Sequence, residues 1–152
     1  MRLSFSGAPE IRASRADVWR RLLDPEFVAS TAPAIESVER IDPTHFKVVA
    51  GLGIGALKLR FTLHVELFDL IEPSSAAMRA RGKAPGSTVD VTTRFELAEV
   101  EPNVVRLQWT AVTEVGGTVA SVGARLLEGT ARRLTEAFWR DFAASVSNGS
   151  VP

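Results

Sequence analysis

The sequence contains no cysteine, which excludes disulfides, thiolate metal sites and cysteine nucleophiles. It contains no tyrosine either, which removes one common acid or oxyanion donor from any enzymatic pocket. Histidine is scarce. His45 and His64 are the only two, and neither has a second histidine at ligand spacing, so no zinc site is expected. Net charge is also missing, because 18 basic residues balance 18 acidic ones. A chain without a basic excess lacks the electrostatic footprint of a nucleic-acid binder. No apolar run approaches the ~18 residues that a spanning helix needs. The opening "MRLSFSGAPE" has no apolar signal core, so the expectation is a cytoplasmic protein without a spanning segment.

What is present reads as one domain over residues 1–146, followed by a short tail at 147–152. Hydrophobic residues are 45% of the 152, enough for a substantial core. Residues 2–12 read as extended, anchored by Leu3, Phe5 and Ile11. Ser14 with Asp17 forms a capping-box pattern, and Val18, Trp19, Leu22 and Leu23 make one helical face. Asp24 and Pro25 then read as a second N-cap with proline at the first helical position. Two short helices in tandem are expected before Pro33.

From Ile35 to Glu114 the hydrophobic period becomes two. In "LKLRFTLHVEL", Leu59, Phe61, Leu63, Val65 and Leu67 alternate with Lys58, Arg60, Thr62, His64 and Glu66. One dry face and one wet face follow from this, with His64 on the wet one. Parity breaks at Leu67-Phe68, where a bulge or bend is expected. Val89, Val91, Thr93, Phe95 and Leu97 repeat the pattern, as do Val105, Leu107, Trp109 and Ala111. With "IESVERI", "HFKVVA" and "AAMRARG" this gives six strands without an intervening helix, hence an antiparallel meander. Its turns alternate in kind. "DPT", "EPSS" and "EPN" are stiff, whereas "GLGIGA", "GKAPGS" and "GGT" are rich in glycine. The sheet should therefore have a stiff proline end and a pliant glycine end.

The last element reads as a helix from Thr118, its N-cap, to about Val146, roughly 40 Å long. Val119, Leu126, Leu127, Ala131, Leu134, Ala137, Phe138 and Phe142 fall on one arc. Gly123 and Thr130 lie on the centre line of that arc and leave it thin beside the glycine loops. Trp139 falls on the polar side, packing against a terminus or marking a partner or membrane contact. The fold class expected is α+β, a curved antiparallel sheet wrapped around a long C-terminal helix, with two short helices after the first strand. A bent sheet gripping a thin helix leaves an internal apolar cavity at the glycine end. The expected lining is Phe61, Leu63, Met78, Val91, Phe95, Trp109, Val122, Gly123, Leu126 and Thr130. The alternative is that Gly123 only lets the helix approach the sheet closely, with no cavity.

Catalytic motifs fail on context. "VASVG" lacks the leading glycine of a nucleophile elbow and lies within the last element. "GLGIGA" misses the dinucleotide-binding spacing and enters a strand, so it reads as a hairpin loop. Arg79 and Arg81 share the face opposite Met78 and Ala80, which reads as solvated; binding a carboxylate or carbonyl is the competing reading. The three best strands carry Thr93 inward but no inward Asp, Glu or His. A non-catalytic carrier is the leading reading. A small cyclase, dehydratase or hydrolase using the same cavity, or an interaction subunit, are the alternatives.

Several segments carry a family likeness: "FSG" at Phe5, "VWRRLLDPE" at Val18, "GIGALKLRFTLHVEL" at Gly53 and "EVGGTVASVGARL" at Glu114. The element order resembles the helix-grip fold of the START/Bet v 1-like (SRPBCC) superfamily. Within it, the chain resembles the CoxG family, named for carbon monoxide dehydrogenase. That resemblance implies a pocket for an apolar or amphipathic small molecule, quinone- or lipid-like, with no bound cofactor. It also implies an accessory role beside molybdenum hydroxylase subunits, and membrane contact that is peripheral at the inner face. The chain departs from the family in having "PAIE" where Pro-Gly is frequent, and in ending at "SNGSVP" where many members carry a membrane-associating extension.

Overall fold

The computed structural model describes residues 1–149 of the chain. Alternation of apolar and polar residues produces eight strands: β1 Arg2–Gly7, β2 Glu10–Ile11, β3 Ile35–Asp42, β4 His45–Ile54, β5 Leu57–Ile71, β6 Ser75–Ala84, β7 Ser87–Glu101 and β8 Val104–Gly117. They form one antiparallel sheet in the order β1-β8-β7-β6-β5-β4-β3, with β2 also pairing β8. The six-stranded meander is therefore present, and the N-terminal segment adds to its far edge. The parity break in β5 becomes a register shift between Phe68 and Ile71, with Asp69 at φ 50.

Helices α1 Arg15–Leu22 and α2 Pro25–Ser30 follow β2. Both begin at side-chain caps. Ser14 accepts from the backbone N–H of Asp17 at 3.1 Å, and Asp24 accepts from those of Glu26 and Phe27 at 3.1 and 3.3 Å. Val18, Trp19 and Leu22 bury the inner face of α1.

The final helix differs from expectation at its start. Thr118–Val122 is a 3-10 turn, entered through Gly117 and without a side-chain cap, so Thr118 is not an N-cap. Gly123 breaks the chain at φ 102, and α3 runs from Ala124 to Gly149. That backbone state favours glycine, which accounts for the residue where a helical reading could not. Its first helical bond runs from the N–H of Leu127 to the carbonyl of Gly123, at 3.1 Å. α3 also extends beyond Val146, so residues 147–149 of the expected tail are helical and 150–152 lie outside the described residues.

The break also corrects Trp139. Counting about 100° per residue from Val119 carries the phase through a non-helical segment and tilts the apolar arc. Counted within α3, Leu127, Thr130, Phe142 and Val146 define the inner stripe, and Trp139 lies at its edge. It is buried and stacks on Trp109, with centroids 5.6 Å apart. Among the described residues, no helix is long and apolar enough to cross a membrane.

Candidate functional site

The inner face of the sheet has two unlike halves. At the proline end, α1, α2 and the C-terminal half of α3 close over a dense aromatic core. Trp139 touches Phe95, Trp109, Phe138 and Phe142, and Phe27 meets Phe142 edge-on at 5.8 Å. Ile11, Val18, Val105, Leu107 and Phe142 have no more than traces of exposed surface there. At the glycine end the residues are smaller, and a cavity of about 220 Å³ remains between the sheet and the N-terminal half of α3.

The wall of this cavity can be built from strand parity. β4 contributes Ala50, Leu52 and Ile54, and β5 contributes Phe61 and Leu63. Val89 and Val91 come from β7, Thr113 and Val115 from β8, and Leu3 from β1. Val119 of the 3-10 turn and Leu127, Thr130, Ala131 and Leu134 of α3 form the roof. β6 contributes none, for a local reason. Leu63, Gly82 and Val89 are aligned across three strands. A Cβ on Gly82 would stand 2.3 Å from Leu63 Cδ2 and 2.9 Å from Val89 Cγ1. Glycine there lets the two flanking side chains close over the strand and form the floor.

The expected lining residues divide between the two halves. Phe61, Leu63, Val91 and Thr130 lie on the wall of the cavity. Phe95, Trp109 and Met78 lie in or against the aromatic core, because Trp139 is brought onto Phe95 and Trp109. Val122 packs against the aliphatic cluster around Phe61 without reaching the wall. Leu126 is 40% exposed and lies near the β4–β5 hairpin, where a Cβ on Gly55 would be 3.4 Å from its Cδ2. Gly123 faces open space, with nothing within 4 Å of a Cβ built on it. The remaining wall residues were accessible to strand parity for Val89 and Val115, and for Ala50 once the side of β4 that faces inward is known. Leu127, Ala131 and Leu134 were on the apolar arc, but their depth depends on where α3 begins.

The cavity is chemically plain. Its surface is apolar throughout, and among the described residues no Asp, Glu, His, Lys or Arg lines it. Thr130 turns its hydroxyl towards Arg133, whose Nη2 donates to it at 3.4 Å. Among the described residues, no group of His, Asp and Glu is placed to hold a metal ion.

Charge is concentrated on the outer face of the sheet. A larger groove of about 680 Å³ lies there, lined by Thr62, His64, Arg81, Lys83, Asp90 and Glu114 among others. It is open and self-neutralised. Arg79 donates to both carboxylate oxygens of Asp90, at 3.3 and 2.9 Å, and Arg81 stands 3.5 Å from the same group. These hydrogen bonds and charges hold the Asp90 carboxyl below its ordinary range, against a smaller desolvation effect. The arginines thus bind a carboxylate, but it belongs to the neighbouring strand. Size alone therefore does not make this groove the site; the enclosed apolar cavity is the better candidate.

The comparisons with known proteins agree with this architecture. The family model for CoxG, the G-type component of carbon monoxide dehydrogenase, matches residues 7–147. A conserved protein from Geobacillus kaustophilus superposes with a TM-score of 0.88 at 25% identity, over 98% of each chain. A START superfamily protein from Mycobacterium smegmatis superposes at 0.73 with 15% identity, over 95% of this chain and 97% of its own. The Zhui aromatase/cyclase from Streptomyces sp. R1128 does so at 0.70 with 15% identity, over 96% of this chain and 94% of its own. The last two are likenesses of fold. Among curated proteins no sequence match is found.

Proposed function

The chain belongs to the carbon monoxide dehydrogenase CoxG family of the START/Bet v 1-like superfamily, and on that premise we propose that it carries an apolar or amphipathic small molecule in the cavity at the glycine end. The observation that supports this most is the cavity itself, enclosed by sheet and helix with a wholly apolar surface. An engineered apolar cavity of about 150 Å³ is dry and takes benzene. The 220 Å³ here suits a fused ring system or a short alkyl segment, with the rest of a longer molecule projecting outward.

The energetics favour exchange over storage. Burying about 300 Å² of apolar ligand surface is worth roughly 7 kcal/mol, and association costs at least about 4 kcal/mol. The surplus corresponds to roughly millimolar affinity unless polar contacts outside the cavity add to it. Such a site picks up and releases its cargo readily. A quinone- or lipid-like molecule fits these terms, and the family description suggests delivery to a molybdenum hydroxylase of carbon monoxide dehydrogenase type. A wall of aliphatic, phenylalanine and threonine side chains offers a substrate no acid or base, which argues for carriage over catalysis.

Native mass spectrometry of the protein as purified, followed by solvent extraction, tests this reading. A mass increment that is extracted as an apolar or amphipathic compound is the expected result. Turnover of an extracted compound would move the assignment to the cyclase or hydrolase class.

A further inference from the structure

Most arginines on α3 have acidic neighbours. Arg132 bonds Glu128 at 2.8 Å, and Arg140 lies 3.6 Å from Asp141. Arg133 differs. Its neighbours one turn away in each direction are Gly129 and Ala137, and among the described residues no carboxylate stands within ion-pair distance of it. Its one polar contact is the hydroxyl of Thr130, a residue of the cavity wall. Gly129 leaves room for the side chain to fold back, since a Cβ there would be 3.6 Å from Arg133 Nη1. Leu126 and Leu134, at 40% and 43% exposed, lie on the same flank of the helix, and Leu134 also lines the cavity. An unneutralised guanidinium is thus tethered where the apolar wall meets solvent, with most of its donors unused.

We infer that Arg133 is the head-group clamp of this cavity, taking the negatively charged oxygen head, such as a carboxylate, of an amphipath whose apolar body lies inside. The inference rests on the carrier reading and supplies the polar contact that apolar burial alone lacks. Guanidinium pairs with carboxylates through charge-assisted, forked hydrogen bonds, which are stronger than neutral ones. Exposure to solvent weakens the pair, so the expected gain is modest, roughly three- to tenfold in affinity.

The test is a displacement titration on the full chain above pH 8. The uncharged fluorophore N-phenyl-1-naphthylamine serves as the cavity probe, with decanoate and decanol as competitors of equal apolar length. In the native protein decanoate should displace the probe at roughly three- to tenfold lower concentration than decanol. Arg133→Gln should erase that preference while leaving the affinities for probe and decanol unchanged. Arg125→Gln, which makes the same charge change elsewhere on the helix, should keep it. Equal displacement by the two competitors in the native protein, survival of the preference in Arg133→Gln, or its loss in Arg125→Gln would overturn the clamp while leaving the cavity in place. Failure of the native protein to bind the probe at all would remove the carrier reading and the clamp with it.

Discussion

The two halves of the interior use the same sheet and the same helix, yet one is solid and the other hollow. Along β7 and β8, Phe95, Leu97, Leu107 and Trp109 face Trp139 and Phe142, whereas Val89, Val91, Thr113 and Val115 face Leu127, Thr130 and Ala131. Side-chain volume explains the difference. Aromatic rings from both layers fill the space at one end, and short side chains from both layers fail to meet at the other. A continuous fold can therefore divide its work, with one end providing stability and the other providing room.

This contrast predicts unequal costs for similar substitutions. Phe142→Ala, in the solid half, should destabilise by about 3–5 kcal/mol, because a fully buried ring leaves a cavity that its neighbours cannot fill. Leu134→Ala, on the hollow side, should cost under about 1 kcal/mol, since much of its surface already meets solvent. Denaturant unfolding of both variants checks the pair, and equal costs would contradict the division.

Filling substitutions should show the reverse asymmetry. Ala76→Leu pushes into the packed region beside Phe95 and should cost about 1–3 kcal/mol. Ala131→Leu has space ahead of it and should change stability by less than about 1 kcal/mol in either direction. Thermal unfolding of the two proteins side by side reads this directly.

At the junction between the halves and the turn that precedes α3, Gly123→Ala should destabilise by about 1–2 kcal/mol through its positive φ, although nothing crowds the site. Gly53→Ala also meets open space but without that backbone requirement, and should be within about 0.5 kcal/mol of neutral. The smallest effect concerns the outer face. The carboxyl of Asp90 is held below its ordinary value of 3.8 by the Arg79 hydrogen bonds. Its contribution is therefore fully present above pH 3.8 and is lost as pH falls further, towards the depressed value in the folded state. Asp90→Asn should flatten that acid limb slightly in pH-dependent unfolding and leave neutral-pH ligand binding unchanged.

Much of the fold was legible because period-two alternation survives in every long strand. Phe61, Val91 and Leu107 point inward as their parity requires, and the proline and glycine turns alternate between the two ends of the sheet. The location of the void was less legible. Strand parity says that Phe95 and Trp109 face inward, but not what meets them there. That depends on the phase of α3, and the phase depends on Gly123 being a break rather than a helical residue. Once the helix is counted from Ala124, Trp139 turns onto Trp109, the aromatic positions fill, and the space remaining lies one row of residues nearer the glycine hairpins. Gly82 was equally silent in sequence, since its role exists only across strands, between Leu63 and Val89.

The most direct measurement is a titration of N-phenyl-1-naphthylamine into the native protein and into Ala131→Leu, with circular dichroism showing that both are folded. Saturable binding by the native chain, lost or greatly weakened when leucine occupies the hollow beneath α3, is the predicted result. Undiminished binding by the folded variant would place the ligand somewhere other than between the sheet and the helix.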